Sequence, residues 1–393
     1  MKKVLIYMDE DMLKPVGGPT GYVYYIMKQM NGKRRFGDIE IDFIKKPKSF
    51  KSKIKKYVPR FIIKIKDNNR YINKIKKIFD EKPKLSVIDL KKYDIVHFHS
   101  TYALFSVRDS LKNYSGKVIL TSHSPKALHK EFIEDFLTVE QINNNKDLLD
   151  KLSIMDEYAF NRADKIIFPC QDAEEPYYNS WSSYNEIHDN NEDKYFYIPT
   201  GISQSLYKKE YLEVRNEYNI PSDAFVISFV GRHNTTKGYD FLKKVGEELL
   251  NKYEDIYFLI AGKEEPLKGL DHPRWIECGW TDDAASIINS ANIFILPNSE
   301  TYFDIVMLEV LSLGKIVIAS NTGGNKYFKK YNCNGILSYD KDNINEAIKK
   351  ILSIKKLDKY QIENMEKKNK ELFDKEFTIE VFFEKYIEFL NNI

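Results

Sequence analysis

Short apolar runs alternate with amphipathic stretches along the whole of this 393-residue chain, and that rhythm limits the folds open to it more than any other feature. The runs predict strands at Val4–Met8, Ile39–Phe43, Ile95–His99, Val118–Ser122, Lys165–Phe168 and Phe196–Ile198. A second set follows at Phe225–Val230, Tyr257–Ala261, Trp275–Glu277, Ile293–Leu296, Ile316–Ala319 and Gly335–Leu337. Most are rich in Val, Ile and Phe without polar alternation, as strands covered on both faces are. The stretches between them have helical spacing: Phe241, Leu242, Val245 and Leu249 share one face, and Ile344, Ile348 and Ile351 share another. Strand–helix alternation predicts parallel α/β sheets. Six strands on each side of Pro199-Thr-Gly-Ile202 predict two Rossmann-like domains, one over 1–200 and one over 201–376, joined through a polar stretch that runs to Pro221. A last helix within 377–393 carries Val381, Phe382, Tyr386, Phe389 and Leu390 as an apolar stripe, and is expected to return to the N-terminal domain.

An apolar fraction of 42% supports real cores, and no apolar run approaches the roughly 18 residues that span a bilayer. The start, Met1-Lys-Lys-Val-Leu-Ile-Tyr-Met8, reads as a first core strand and not as a signal peptide. Cys170, Cys278 and Cys333 lie far apart, which argues against a disulfide framework or zinc site and fits a reducing cytoplasm. The net charge of +3 conceals an asymmetry. Residues 45–77, part of an expected basic insertion at about 45–80, hold fourteen Lys or Arg against the single acid Asp67, so this segment carries +13 and the rest −10. Within 53–66, Ile54, Tyr57, Val58, Phe61, Ile62 and Ile65 have helical spacing opposite a Lys-rich face, although Pro59 suits a first turn better than a middle. Two readings stand: a solvated helix packed on its own domain, or a basic amphipathic helix for an anionic membrane surface. Nucleic acid is disfavoured, since no recognition motif accompanies the charge.

Four motifs carry chemistry. Gly17-Gly18-Pro-Thr-Gly21 follows the first strand and opens a helix; its glycines permit either close approach to a ligand or simply a tight turn. It is not G-x-G-x-x-G, which disfavours a dinucleotide. In Phe229-Val-Gly-Arg232-His-Asn-Thr-Thr-Lys237-Gly238, two cations stand at the carboxyl edge of a predicted sheet, where a diphosphate would bind. Glu300-Thr-Tyr-Phe-Asp-Ile-Val-Met-Leu-Glu309 leads from a strand into a short helix ending at Gly314. The free amides and dipole of that helix start form an anion site. Glu309, further along, can reach the hydroxyls of a sugar or ribose. His97 and His99 share one face of a strand, as a metal pair would, but no acidic or cysteine ligand accompanies them. Asp9-Glu-Asp11 reads as a loop with surface acids.

Gly-Arg232…Lys237-Gly, the Phe303…Glu309 helix, Ile198-Pro-Thr-Gly201 and Ala319-Ser-Asn-Thr-Gly-Gly324, taken in order, resemble the family 4 retaining glycosyltransferases. The resemblance implies the GT-B fold: two Rossmann-like α/β/α domains facing each other across a cleft, with the nucleotide-sugar donor held mostly by the second. It implies that Arg232 and Lys237 neutralise the leaving diphosphate and that Glu309 holds the ribose hydroxyls. The backbone from Phe303 through Asp304 and Ile305 to Val306 would hold phosphate and sugar, with Tyr302 beside it. Gly17 and Gly18 match an N-terminal glycine loop, and His123 matches a histidine that approaches the donor sugar. No metal or cofactor is implied. Two departures stand out. The family's first glutamate is replaced here by Thr301, with Glu300 one residue upstream; either Glu300 reaches the sugar or Thr301 makes a weaker contact. The family's glycine after Phe is Asp304, an acid that suits an N-cap but would repel phosphate, so it is expected to point at sugar hydroxyls or at a cation.

The resulting expectation is a cytoplasmic, metal-independent retaining glycosyltransferase, working at the inner face of the cell membrane if the basic helix meets anionic lipid. It would move a hexose-type sugar from a UDP-linked donor to a glycan, a lipid-linked glycan or an acceptor protein in surface-polysaccharide assembly. A non-catalytic glycan-binding or chaperone-like partner of an active enzyme is the alternative, suggested by Thr301. A sugar-nucleotide epimerase on the same fold is a further rival.

Overall fold

The computed structural model describes residues 1–15, 18–45, 70–80, 86 and 88–393. Two compact units emerge: Met1–Phe168 with Pro176–Ile198 and Tyr386–Ile393, and Pro169–Glu175 with Pro199–Lys385. The last helix, Ile379–Asn391, is therefore divided between the units at Lys385/Tyr386. The 53–66 segment and Gly17 lie outside the described residues.

The first unit is built on a seven-stranded sheet: β1 (Lys2–Asp9), β2 (Arg35–Phe36), β3 (Ile39–Ile44), β4 (Ile95–Phe98), β5 (Lys117–Leu120), β6 (Lys165–Phe168) and β7 (Tyr195–Tyr197). Their order is β2-β3-β1-β4-β5-β6-β7, and only β2 runs antiparallel to its neighbour. β2 escapes sequence reading because two residues carry no periodicity. Helix α1 (Pro19–Met30) buries Tyr22, Val23 and Ile26; α2 (Arg70–Asp80) buries Ile72 and Ile75. Buried Asp156 accepts a 2.8 Å bond from the backbone N–H of His129, and so caps α3 (Leu128–Phe136) from another helix. Tyr386–Ile393 joins this unit by its side chains: Tyr386 meets His97, and Phe389 meets Phe196 at 5.0 Å between ring centres.

The second unit carries six parallel strands: β8 (Phe225–Val230), β9 (Ile256–Ala261), β10 (Trp275–Gly279), β11 (Ile293–Leu296), β12 (Ile316–Ser320) and β13 (Ile336–Tyr339), in the order β10-β9-β8-β11-β12-β13. Both faces are covered. Ile227, Phe229, Phe258 and Ile260 face one core; Val226, Leu259 and Ala261 face the other. That two-sided burial is why these strands read as unbroken apolar runs. Helix α5 (Tyr239–Lys252) buries Phe241, Leu242, Val245 and Leu249 as its spacing predicts, each worth about 1.5–3 kcal/mol. The stretch read as polar up to Pro221 instead contains helix α4 (Tyr211–Glu217), which buries Val214 and Arg215.

Candidate functional site

The strand order of the second unit reverses between β8 and β11, and open α/β sheets bind ligands outside the carboxyl ends of their strands at such a point. Three loops meet there. Gly238 is left-handed (φ 66°), and a Cβ on it would lie 1.7 Å from the carbonyl oxygen of Pro297, so only glycine lets the β8 and β11 loops close. The Ser299 N–H donates to the Thr236 carbonyl at 3.1 Å, and the Ser299 hydroxyl to the Thr235 carbonyl at 2.8 Å. The β12 loop joins them. The Ser320 hydroxyl donates to the Asn298 carbonyl at 2.7 Å, and the Gly324 N–H to the Thr301 carbonyl at 3.2 Å. A Cβ on Gly324 would lie 2.1 Å from the Tyr302 carbonyl oxygen. The Gly-Gly pair of the sequence motif is thus the contact surface for the 301–302 backbone.

Arg232 follows β8, is exposed, and makes no side-chain hydrogen bond or ion pair among the described residues. Its neighbour His233 is fully buried and stacks on Tyr239 at 3.9 Å with 4° between the rings, anchoring the loop that presents the arginine. Lys237 Nζ lies 2.5 Å from Asp304 Oδ1, and Asn298 Nδ2 donates to Asp304 Oδ2 at 2.8 Å. Asp304 occupies the N-cap position of α6 (Ile305–Ser312) but makes no side-chain cap bond. Its carboxylate is held by a lysine ammonium and a buried amide in place of the helix's own N–H groups, and of the two expected partners, sugar hydroxyls or a cation, Lys237 is a cation. The first-turn amides of Ile305 and Val306 precede any intrahelical acceptor. Gly314, left-handed at φ 74°, follows the helix.

Glu309 lies one turn into α6, half-buried, with its carboxyl pushed up to about 7 by burial and secondarily by the Asp304 charge. Phe303 turns inward, stacking on Phe328 at 5.5 Å, so it holds the turn in place from below. Thr301 is 2% exposed, and its hydroxyl finds no protein partner; the same is true of Oδ1 of fully buried Asn298. The half-buried Glu300 is tied by its backbone N–H to the Thr236 carbonyl at 3.4 Å, and Tyr302 is half-buried beside it. Asn298 and His233 escaped sequence reading. A polar residue just past a buried strand was the available signal for each.

In the first unit, Gly18 (φ 76°) opens α1 ahead of Pro19. One turn on, buried Tyr22 meets the His123 ring edge-on at 4.7 Å and the His99 ring at 5.5 Å. Tyr22 was not singled out in the sequence. His123 is left-handed at φ 61°, an outlier for a histidine that costs of order 1–3 kcal/mol. Its Nε2 lies 2.9 Å from His99 Nδ1, and burial pushes its pKa down to about 3. His97 bonds Tyr386 and Thr121, each at 2.9 Å. The His97 and His99 rings are 4.0 Å apart, and burial drives both pKa values well down, so neutral imidazoles fill this edge. No cluster of three His, Cys, Asp or Glu suited to a metal occurs among the described residues. Of the acids after β1, Glu10 pairs with Arg34 at 2.7 Å. No helix among the described residues is long and apolar enough to cross a membrane.

Residues 211–368 match the family described as glycosyl transferases group 1. The chain is 23% identical to an uncharacterized glycosyltransferase of Methanocaldococcus jannaschii over 311 residues, 72% of each chain. Among solved structures it is similar to sucrose-phosphate synthase from Thermosynechococcus elongatus (TM-score 0.66, 16% identity, 100% of this chain and 99% of that one). It is also similar to Anabaena HepE in complex with UDP-glucose (TM-score 0.65, 13% identity, all of both chains). Two Rossmann-like units and this whole-chain likeness give the GT-B fold. With that fold, the chain is similar to the glycosyl transferases group 1 over residues 211–368, which lie in its second unit.

Proposed function

We propose that the chain is a retaining, metal-independent glycosyltransferase that moves a hexose-type sugar from a UDP-linked donor to a glycan or lipid-linked glycan acceptor. The observation that carries this reading is the loop set at the switch point of the second sheet. Arg232 stands there unpaired, Lys237 lies on the same loop, and the first turn of α6 is framed by Asp304. Breaking a glycosyl–phosphate bond builds negative charge on the departing diphosphate as the anomeric carbon gains cation character. Preorganised Arg232, Lys237 and the α6 amides offset that charge. Glu309 supplies oxygens for ribose hydroxyls. The fold shared with HepE, whose structure holds UDP-glucose, supports UDP as the carrier.

Retention follows from the family resemblance: the acceptor hydroxyl attacks on the face the diphosphate leaves, and its proton passes to the departing phosphate oxygen. No protein base is therefore assigned. The role of His123 toward the donor sugar rests on the same resemblance, and a neutral ring suits a hydrogen-bonding role. Surface-polysaccharide assembly at the inner face of the membrane would give the basic 45–77 segment a partner in anionic lipid. Sedimentation with anionic vesicles at low and high salt tests that part.

The central test incubates the purified chain with a panel of nucleotide sugars, with and without EDTA, and reads donor cleavage and the anomeric configuration of any product. EDTA should change nothing. Arg232→Ala and Lys237→Ala should both lose turnover while melting like the parent, and near-normal turnover in both would remove the diphosphate assignment.

A further inference from the structure

We infer that Asp304 is a charge-tuning residue that sets the diphosphate site to release its spent nucleotide more readily than its donor. The inference rests on the reading above. Three observations carry it. The Asp304 carboxylate is fixed from both sides, by Lys237 at 2.5 Å and by Asn298 at 2.8 Å. It stands at the mouth of the α6 helix without spending its charge on the helix amides. It also cancels one of the two cations of the site, so Arg232 is left as the uncompensated charge.

A ligand that draws Lys237 toward its phosphates must share that ammonium with Asp304, and it then sits against a fixed negative charge. The size of this repulsion scales with ligand charge. In a nucleotide sugar both phosphates are diesters or bridged, each with a single charge. Transfer breaks the sugar–phosphate bond, and the freed terminal phosphate gains a second ionisable oxygen with a pKa of about 6. At neutral pH the product is therefore more negative than the donor by nearly one charge. Asp304 opposes the product more strongly, by that one charge.

The test is calorimetric titration of the full chain with UDP, GDP and ADP and with the glucose ester of each, at pH 7.5. Asp304→Asn keeps the shape and removes the charge; Asp304→Gly is the second variant, and melting curves check that both fold. For whichever base binds, Asp304→Asn should tighten the free diphosphate about fivefold or more beyond any change in its glucose ester. Product inhibition of turnover should deepen in parallel. Equal shifts for diphosphate and ester, or weaker binding of both, would overturn the inference while leaving the function standing. If no diphosphate or ester binds the parent, both fall together.

Discussion

The two edges of the second sheet each hold an arginine, and the two are opposites. At the amino edge, Arg215 is fully buried and donates to five acceptors: the carbonyls of Ser290, Pro221, Ser222 and Ala224, and Oδ1 of Asn292. At the carboxyl edge, Arg232 is exposed and donates to none among the described residues. A buried guanidinium must have its donors satisfied, because an unmade bond there costs the full desolvation of the group. An exposed one in the loop after β8 incurs no such cost and stays available. The same side chain thus serves stability at one edge and chemistry at the other, and the partner list tells which.

The largest expected effect tests that contrast directly. Arg232→Ala should cut kcat/KM roughly a thousandfold, as loss of a charge-stabilising donor does, with the melting temperature unchanged. Arg215→Ala should do the reverse, costing about 3–5 kcal/mol of stability while any folded fraction keeps its donor affinity. If thermal melts showed Arg232→Ala to be the unstable variant, the contrast would be wrong.

Glu309 sharpens the comparison, because it belongs to the carboxyl edge and is still half-buried. Its folded pKa of about 7 lies above the unfolded value, so the folded protein holds a proton that the unfolded chain loses. Stability from this group is complete below the unfolded carboxylate range and is lost as pH rises through 7. Glu309→Gln should therefore stabilise the protein at pH 8, by up to about 3 kcal/mol, with the gain vanishing near pH 4. Donor binding should weaken all the same. A pH-independent difference in denaturant midpoints would show that Glu309 does not titrate in this way.

The smallest effect concerns Thr301. Its buried hydroxyl has no protein partner, so Thr301→Val should raise stability by about 1 kcal/mol and weaken donor binding a few-fold. Loss of stability would show instead that the hydroxyl already has a structural role.

Much of the fold was legible because strands covered on both faces leave continuous Val, Ile and Phe runs; all twelve expected strands have counterparts. Arg215 was not. Charge is read as surface, and the stretch around it looked like a polar junction because the acceptors that satisfy it come from residues 221–224 and 290–292, beyond its own helix. At the site, spacing after β8 and β11 put Arg232, Lys237 and Asp304 near one edge. It could not reveal that Lys237 and Asp304, 67 residues apart, hold each other, because pairing across loops depends on their closure at Gly238. The His99–His123–Tyr22 cluster was hidden for a like reason: its members come from the segments just after β4 and β5 and from α1, which become neighbours only in the folded unit.

Where Gly323 and Gly324 press against the Thr301 and Tyr302 carbonyls, main chain touches main chain and no side chain takes part. Apart from Phe303, which holds the turn from below, the path of the turn is consequently insulated from the side chains of residues 300–304. A lineage can exchange what those positions display, a glutamate for Thr301 or a glycine for Asp304, without moving the frame that displays them. Selectivity for what is carried and turnover of what is left behind can thus drift apart from folding, one substitution at a time.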